Sequence, residues 1–166
     1  MSPFGAAIMT IFAAIWWVLG VRAGGASSIV MMIIPCLATG ALLFTAFQRR
    51  GQGNAGSPEE QRRRDRVVTI ASAAEGIAIL VAVNVLANIG LRSQTTPVIA
   101  IIVGLHFLPI ARWLPARTYY LTAGLLIALG LAGLAIGSAP IRIIAVSTGA
   151  ATILWTTAAI VLSDNG

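Results

Sequence analysis

The sequence predicts an all-α, polytopic integral membrane protein with six transmembrane helices and both termini in the cytoplasm. Three observations lead there. Of 166 residues, 58% are hydrophobic and 10% charged, and mean hydropathy is +0.91. Ordinary soluble domains are about 25% charged, so most of this surface must face something other than water. Six apolar segments each approach the roughly twenty residues that cross ~30 Å of hydrocarbon as a helix. All 11 basic residues are arginine, and they gather at the ends of those segments, where positive charge sets orientation.

The spans fall at about 4–22, 28–47, 67–91, 97–114, 118–138 and 141–162, in a single domain with an arginine-rich loop over 48–66. The first, Phe4 to Val21, has no positive stretch before it, so it reads as a retained span and not a cleaved secretory signal. Trp16 and Trp17 are its expected interface anchors, and Arg22 with Gly24-Gly25-Ala26-Ser27 closes it. The second, from Ser28 to Phe47, contains Pro35, which removes a backbone donor and is expected to kink the helix. In a membrane that is tolerated only where a neighbour re-satisfies the freed carbonyl. Cys36 is the only cysteine; it forms no internal disulfide, belongs to no metal cluster, and is expected to be a small buried residue.

The third span begins in water. Ser57 is placed as N-cap, Pro58 at the first helical position, and Glu60 to reach back in a capping box. Glu59 and Glu60 stand four residues before Arg63 and Arg64, the favourable order for helical ion pairs. The run then passes without a breaker into an apolar stretch whose one formal charge is Glu75. After the polar turn Arg92-Ser93-Gln94-Thr95-Thr96, Pro97 opens the fourth span. That span carries Gly104-Leu105-His106-Phe107-Leu108-Pro109 and ends at Arg112-Trp113-Leu114-Pro115. Tyr119 and Tyr120 mark an interface at the start of the fifth, which holds Gly124, Gly130, Gly133 and Gly137. Ser138-Ala139-Pro140 turns the chain, Arg142 starts the sixth span, and Asp164 lies in the tail.

Orientation follows from the arginines. With the 48–66 loop inside, the cytoplasmic side collects Arg49, Arg50, Arg62, Arg63, Arg64, Arg66, Arg112 and Arg117, and the outside is left with Arg22, Arg92 and Arg142. Every inner connection is then richer in arginine than every outer one. A net charge of +6 also suits nucleic acid, but no soluble reading domain is present to carry that function.

Glu75 lies about 12 Å below the cytoplasmic boundary at 1.5 Å per residue. An acid at the centre of a span is unfavourable by about 2.5–3.5 kcal/mol, which makes it a candidate functional residue. His106, the only histidine, has a similar depth of about 12 Å. A Glu75–His106 pair would pass a proton or change charge as a solute binds, because imidazole titrates near neutral pH. Arg112, on the cytoplasmic side, would tune local charge. The plainer reading is a carboxyl and an imidazole that only join two helices by hydrogen bonding, among the small residues Ala71, Ser72, Ala74 and Gly76.

Pro109 withdraws the donor that would have met the Leu105 carbonyl and is a second expected kink. Asn84 and Asn88, one turn apart, lie on the far side of their helix from Glu75 and are expected to form interhelical hydrogen bonds. Gly20/Gly24 and Gly133/Gly137 permit close helix approach within a subunit or between copies, so a homo-oligomer stays open. Arg62, Arg63, Arg64 and Arg66 are placed to rest on anionic lipid. No nucleophile elbow, paired catalytic acids, metal set or phosphate-cradling glycine loop occurs, which argues against an enzyme and implies no cofactor.

The Gly104-Leu105-His106-Phe107-Leu108-Pro109 segment, with Glu75-Gly76 upstream, resembles one found in a family of small bacterial multi-pass membrane proteins. The resemblance covers spans three and four. It implies a bacterial inner-membrane protein in which the Glu75 and His106 helices belong together, and it implies no activity. The expected function is a small helical bundle that transports or binds a small solute or protons through Glu75 and His106. The alternative is a structural or regulatory membrane protein whose buried polar residues only fix helix packing.

Overall fold

The structure is a computed structural model that describes residues 3–25, 29–49, 57–113 and 117–163. Among them the chain is helical, with no strand: α1 (Pro3–Ala23), α2 (Ile29–Gln48), α3 (Pro58–Asn88), α4 (Thr95–Trp113), α5 (Arg117–Ala135) and α6 (Ala139–Ser163), with a 3-10 turn over Arg92–Gln94 before α4. All six are long and apolar enough to cross a membrane. Arg50, the glycine-rich stretch 51–56, residues 26–28 and 114–116, and Asp164 lie outside the described residues.

α3 starts where its cap residues dictate. Ser57 is extended (φ −62, ψ 152) and its Oγ accepts the Glu60 N–H at 3.3 Å, one half of a capping box. The helix stops at Asn88, short of the expected Leu91, because Gly90 takes a left-handed φ of 77. The Leu91 N–H returns to the Leu86 carbonyl at 2.8 Å and the Gly90 N–H to that of Ala87 at 3.4 Å. This pairing satisfies carbonyls that a helix end would otherwise leave orphaned. α4 starts at Thr95, two residues before the expected opening at Pro97, which still lies in the first turn, where its missing N–H costs nothing. α5 ends at Ala135, three residues before the expected Ser138.

The chain divides into two compact units. The first contains α1, α2 and α6 from Ile143 onward. Here α1 and α6 are antiparallel. A Cβ on Gly20 would lie 3.0 Å from Thr148 Cγ2 and 3.2 Å from Ser147 Cβ, and Trp17 and Trp155 meet with ring centroids 5.7 Å apart. Ala6, Ala13 and Gly20 recur every seventh residue and all are buried. Small residues in such a stripe let helix backbones approach closely enough for dispersion contacts, as Gly20 does against Ser147 and Thr148.

Pro35 is accommodated within this unit. Its missing N–H leaves the Met31 carbonyl without its helical partner, and Trp17 Nε1 donates to that carbonyl at 2.8 Å. Trp17 is therefore a tie between α1 and α2, and Trp16 is 6% exposed; neither acts as the free interface anchor expected. At the other end of α2, Arg49 Nη1 donates to the Leu162 carbonyl in the last turn of α6. Cys36 is exposed on α2, against the expectation of burial.

The second unit contains α3, α4, α5 and the chain through Arg142. α4 and α5 form an antiparallel hairpin with buried residues at steps of three or four. On α4 these are Pro97, Ala100, Gly104, Phe107 and Ala111; on α5 they are Tyr119, Thr122, Leu126, Gly130 and Gly133. Two glycines set the separation. A Cβ on Gly104 would lie 2.9 Å from the Ala123 carbonyl oxygen, and one on Gly130 would lie 2.6 Å from that of Pro97. Tyr119 is 1% exposed and stacks on Phe107 at 5.7 Å, so of the two tyrosines only Tyr120 remains exposed for an interface. α3 packs on α4.

Candidate functional site

Glu75 and His106 are brought together by the α3–α4 packing. His106 Nδ1 lies 3.5 Å from Glu75 Oε2, with side chains 10% and 19% exposed respectively. At that distance the contact is at the outer limit of a hydrogen bond, and His106 Nδ1 has no closer partner. The register that produces the contact is local: Ala71 and Glu75 are one turn apart on α3, so both meet α4. The imidazole also lies against the Ala71 backbone, on the turn that carries the acid. On its other side His106 meets Phe107 edge to face, with centroids 5.6 Å apart. Through Phe107 it is backed by the Tyr119 stack.

The pair lies seven residues from Trp113 along α4, about 10 Å, and nine from Arg66 along α3, about 14 Å. Both helices therefore place it nearer their arginine-bearing ends. Ser72, Ala74 and Gly76 beside Glu75 are exposed, and a Cβ on Gly76 would meet nothing within 4 Å. Small side chains leave the acid open on that side.

Chemically, a carboxyl and an imidazole in contact hold one mobile proton between two basic sites. Carrying that proton the pair has no net charge, whichever atom bears it, and that is the state a low-dielectric interior tolerates. A second proton, or none, leaves a net charge. Exchange therefore requires a counter-ion, a bound solute or a path for the next proton. Among the described residues no three His, Cys, Asp or Glu side chains gather as a metal site.

The other residues singled out from the sequence lie elsewhere. Arg112 is exposed and six residues from His106, about 9 Å along the axis. Asn84 is exposed, and its Nδ2 donates at 2.7 Å to the Leu80 carbonyl of its own helix, not across to another as expected. Asn88 is exposed in the last turn of α3. Pro109 is exposed within α4. Arg62, Arg63, Arg64 and Arg66 are all exposed. The expected pairs of Glu59 with Arg63 and Glu60 with Arg64 do not form: among the described residues Glu75–His106 is the one acid–base contact within 4.0 Å. Arg63 instead places its guanidinium carbon 4.4 Å from the centroid of the Trp113 ring.

Arg142 is the main residue that sequence reasoning misplaced. It is 4% exposed, not a free outer charge. Its Nε lies 2.9 Å from the Ile136 carbonyl and 3.1 Å from that of Gly133, and Nη1 lies 3.1 Å from that of Ser93. Nη2 donates to the carbonyls of Ile136 and Gly137. One guanidinium thus caps the C-terminus of α5, where carbonyls are left without partners, and ties it to the turn before α4. The signal was the position: an arginine a few residues past a helix that ends in small residues.

The chain matches no family model, no curated protein and no solved structure.

Proposed function

We propose that this is a multi-pass protein of a bacterial inner membrane that binds and exchanges protons, alone or together with a small solute, at the Glu75–His106 pair. The arginine distribution favours both termini in the cytoplasm, which would put the pair in the inner half of the bilayer. The observation that carries the reading is the 3.5 Å contact between two titratable side chains from adjacent apolar helices. Intramembrane acids and histidines are costly, and where they meet they commonly form proton relays. Arg112 adds charge at the near membrane face and takes no direct part at the pair.

The test is proton flux into liposomes that hold the full-length protein and a trapped pH indicator, driven by a membrane potential. Wild-type protein is expected to pass protons above the rate of empty liposomes. Glu75→Gln keeps the shape and a hydrogen bond but cannot titrate, and is expected to abolish the flux with helicity unchanged. Equal flux in wild type and Glu75→Gln refutes the proposal.

One observation favours a second reading. The imidazole also lies against the Ala71 backbone, as it would in a purely structural joint between α3 and α4. Such a joint would tolerate glutamine at position 75 and fail with leucine, whereas a proton site fails with both.

A further inference from the structure

We propose that the arginine-bearing end of the second unit is a docking surface for the phosphate headgroups of anionic phospholipids, centred on Arg63 stacked on Trp113. This surface is separate from the Glu75–His106 pair and does not depend on the reading given to it.

Three edges of apolar helix coincide there. The apolar windows of α3, α4 and α5 begin at Arg62, end at Trp113 and begin at Arg117 respectively. α4 and α5 form an antiparallel hairpin and Arg63 touches Trp113, so these edges share one end of the unit. That is the level at which a lipid phosphate lies. Trp113 is 43% exposed, and a half-exposed indole at a span end is the usual headgroup-level anchor. Its ring lies under the Arg63 guanidinium, whose carbon is 4.4 Å from the ring centroid. A planar guanidinium held in this way matches two phosphate oxygens at once, which an ammonium does not.

The charge is unspent. Glu59, Glu60 and Asp65 lie on the same helix start as Arg62, Arg63, Arg64 and Arg66, yet none of these arginines has a carboxylate within 4.0 Å among the described residues. Arg112 and Arg117 are exposed as well, so the end carries a surplus of positive charge. The opposite end of the unit differs: Arg92 is exposed there, while Arg142 gives its donors to carbonyls. The asymmetry suits a membrane leaflet rich in anionic lipid on one side.

The experiment uses the full-length protein in bilayers and reads the relative association constants of spin-labelled phosphatidylglycerol and phosphatidylcholine by electron spin resonance. Wild type is expected to prefer phosphatidylglycerol at low salt by about fivefold or more, the factor each near-surface arginine contributes, with the preference fading as salt rises. Arg63→Gln combined with Arg112→Gln and Arg117→Gln is expected to reduce the preference severalfold, Arg63→Lys to weaken it less, and Arg92→Gln to leave it unchanged; a triple variant with the wild-type preference overturns the proposal. Equal association of the two lipids with wild-type protein overturns the proposal whatever the variants do. A preference abolished by inorganic phosphate, but not by chloride of equal ionic strength, also overturns it in favour of a free-phosphate site.

Discussion

Replacing Arg142 by glutamine removes a three-pronged cap from the end of α5. Three of its contacts, at 2.9 to 3.1 Å, reach the carbonyls of Ile136, Gly133 and Ser93. Hydrogen bonds to a charged group contribute about 1.5–3 kcal/mol each. Nε has one hydrogen shared between two carbonyls, so the independent donors are Nε, Nη1 and Nη2, and their joint contribution is about 4.5–9 kcal/mol if none is replaced. At the end of a span water can reach some of the freed carbonyls, which lowers the expected loss to about 2–4 kcal/mol. Lysine keeps the charge without the fork, so Arg142→Lys is expected to lose about half as much. The assay is unfolding of the full-length protein in mixed micelles with rising dodecyl sulfate, followed by circular dichroism. An Arg142→Gln variant that unfolds at the wild-type midpoint would mean that the arginine sets orientation and does not cap the helix, and the reasoning would be wrong.

Other outcomes follow from the same contacts. Gly130→Ala would put a methyl 2.6 Å from the Pro97 carbonyl oxygen, so the α4–α5 hairpin is expected to lose about 1–3 kcal/mol in the same micelle assay; Gly124→Ala, which meets nothing within 4 Å, is expected to be neutral or stabilising by up to about 1 kcal/mol. Trp17→Phe leaves the Met31 carbonyl without a donor and is expected to cost about 1–3 kcal/mol. Adding Pro35→Ala restores the helical N–H to that carbonyl and should recover much of the loss, which a double-mutant cycle measures directly. Ser57→Ala is expected to fray the start of α3 and to cost about 1 kcal/mol, seen as faster amide exchange over the first turn with the membrane-embedded part unchanged.

What the sequence made legible was set by length and by local chemistry. Six apolar runs of spanning length gave six helices, and the Ser57 cap was readable because every partner lies within three residues. The need created by Pro35 was also readable, since a lost N–H always frees the carbonyl four residues back. Its solution was not, because Trp17 lies on another helix, and a tryptophan near a span end reads equally well as an interface anchor. Arg142 escaped for a related reason: a single arginine at a span boundary looks like a topological charge until the neighbouring helix end supplies carbonyls for it. Gly104 and Gly130 could not be picked from 17 glycines, as only the α4–α5 crossing distinguishes them. Glu75 and His106 were legible as costly residues at similar depth, but their contact depends on the rotation of α3 about its axis, which hydrophobic periodicity leaves loose in a helix whose apolar surface runs all round.

The proposed function requires that the Glu75 carboxyl and the His106 imidazole exchange a proton inside the membrane. Infrared difference spectroscopy of the bilayer-reconstituted protein across a pH titration tests this most directly. A protonated-carboxyl band that changes with pH, vanishes in Glu75→Gln and shifts its titration in His106→Phe is the expected result. A Glu75 band that stays constant across the titration, or one indifferent to the loss of His106, would contradict it.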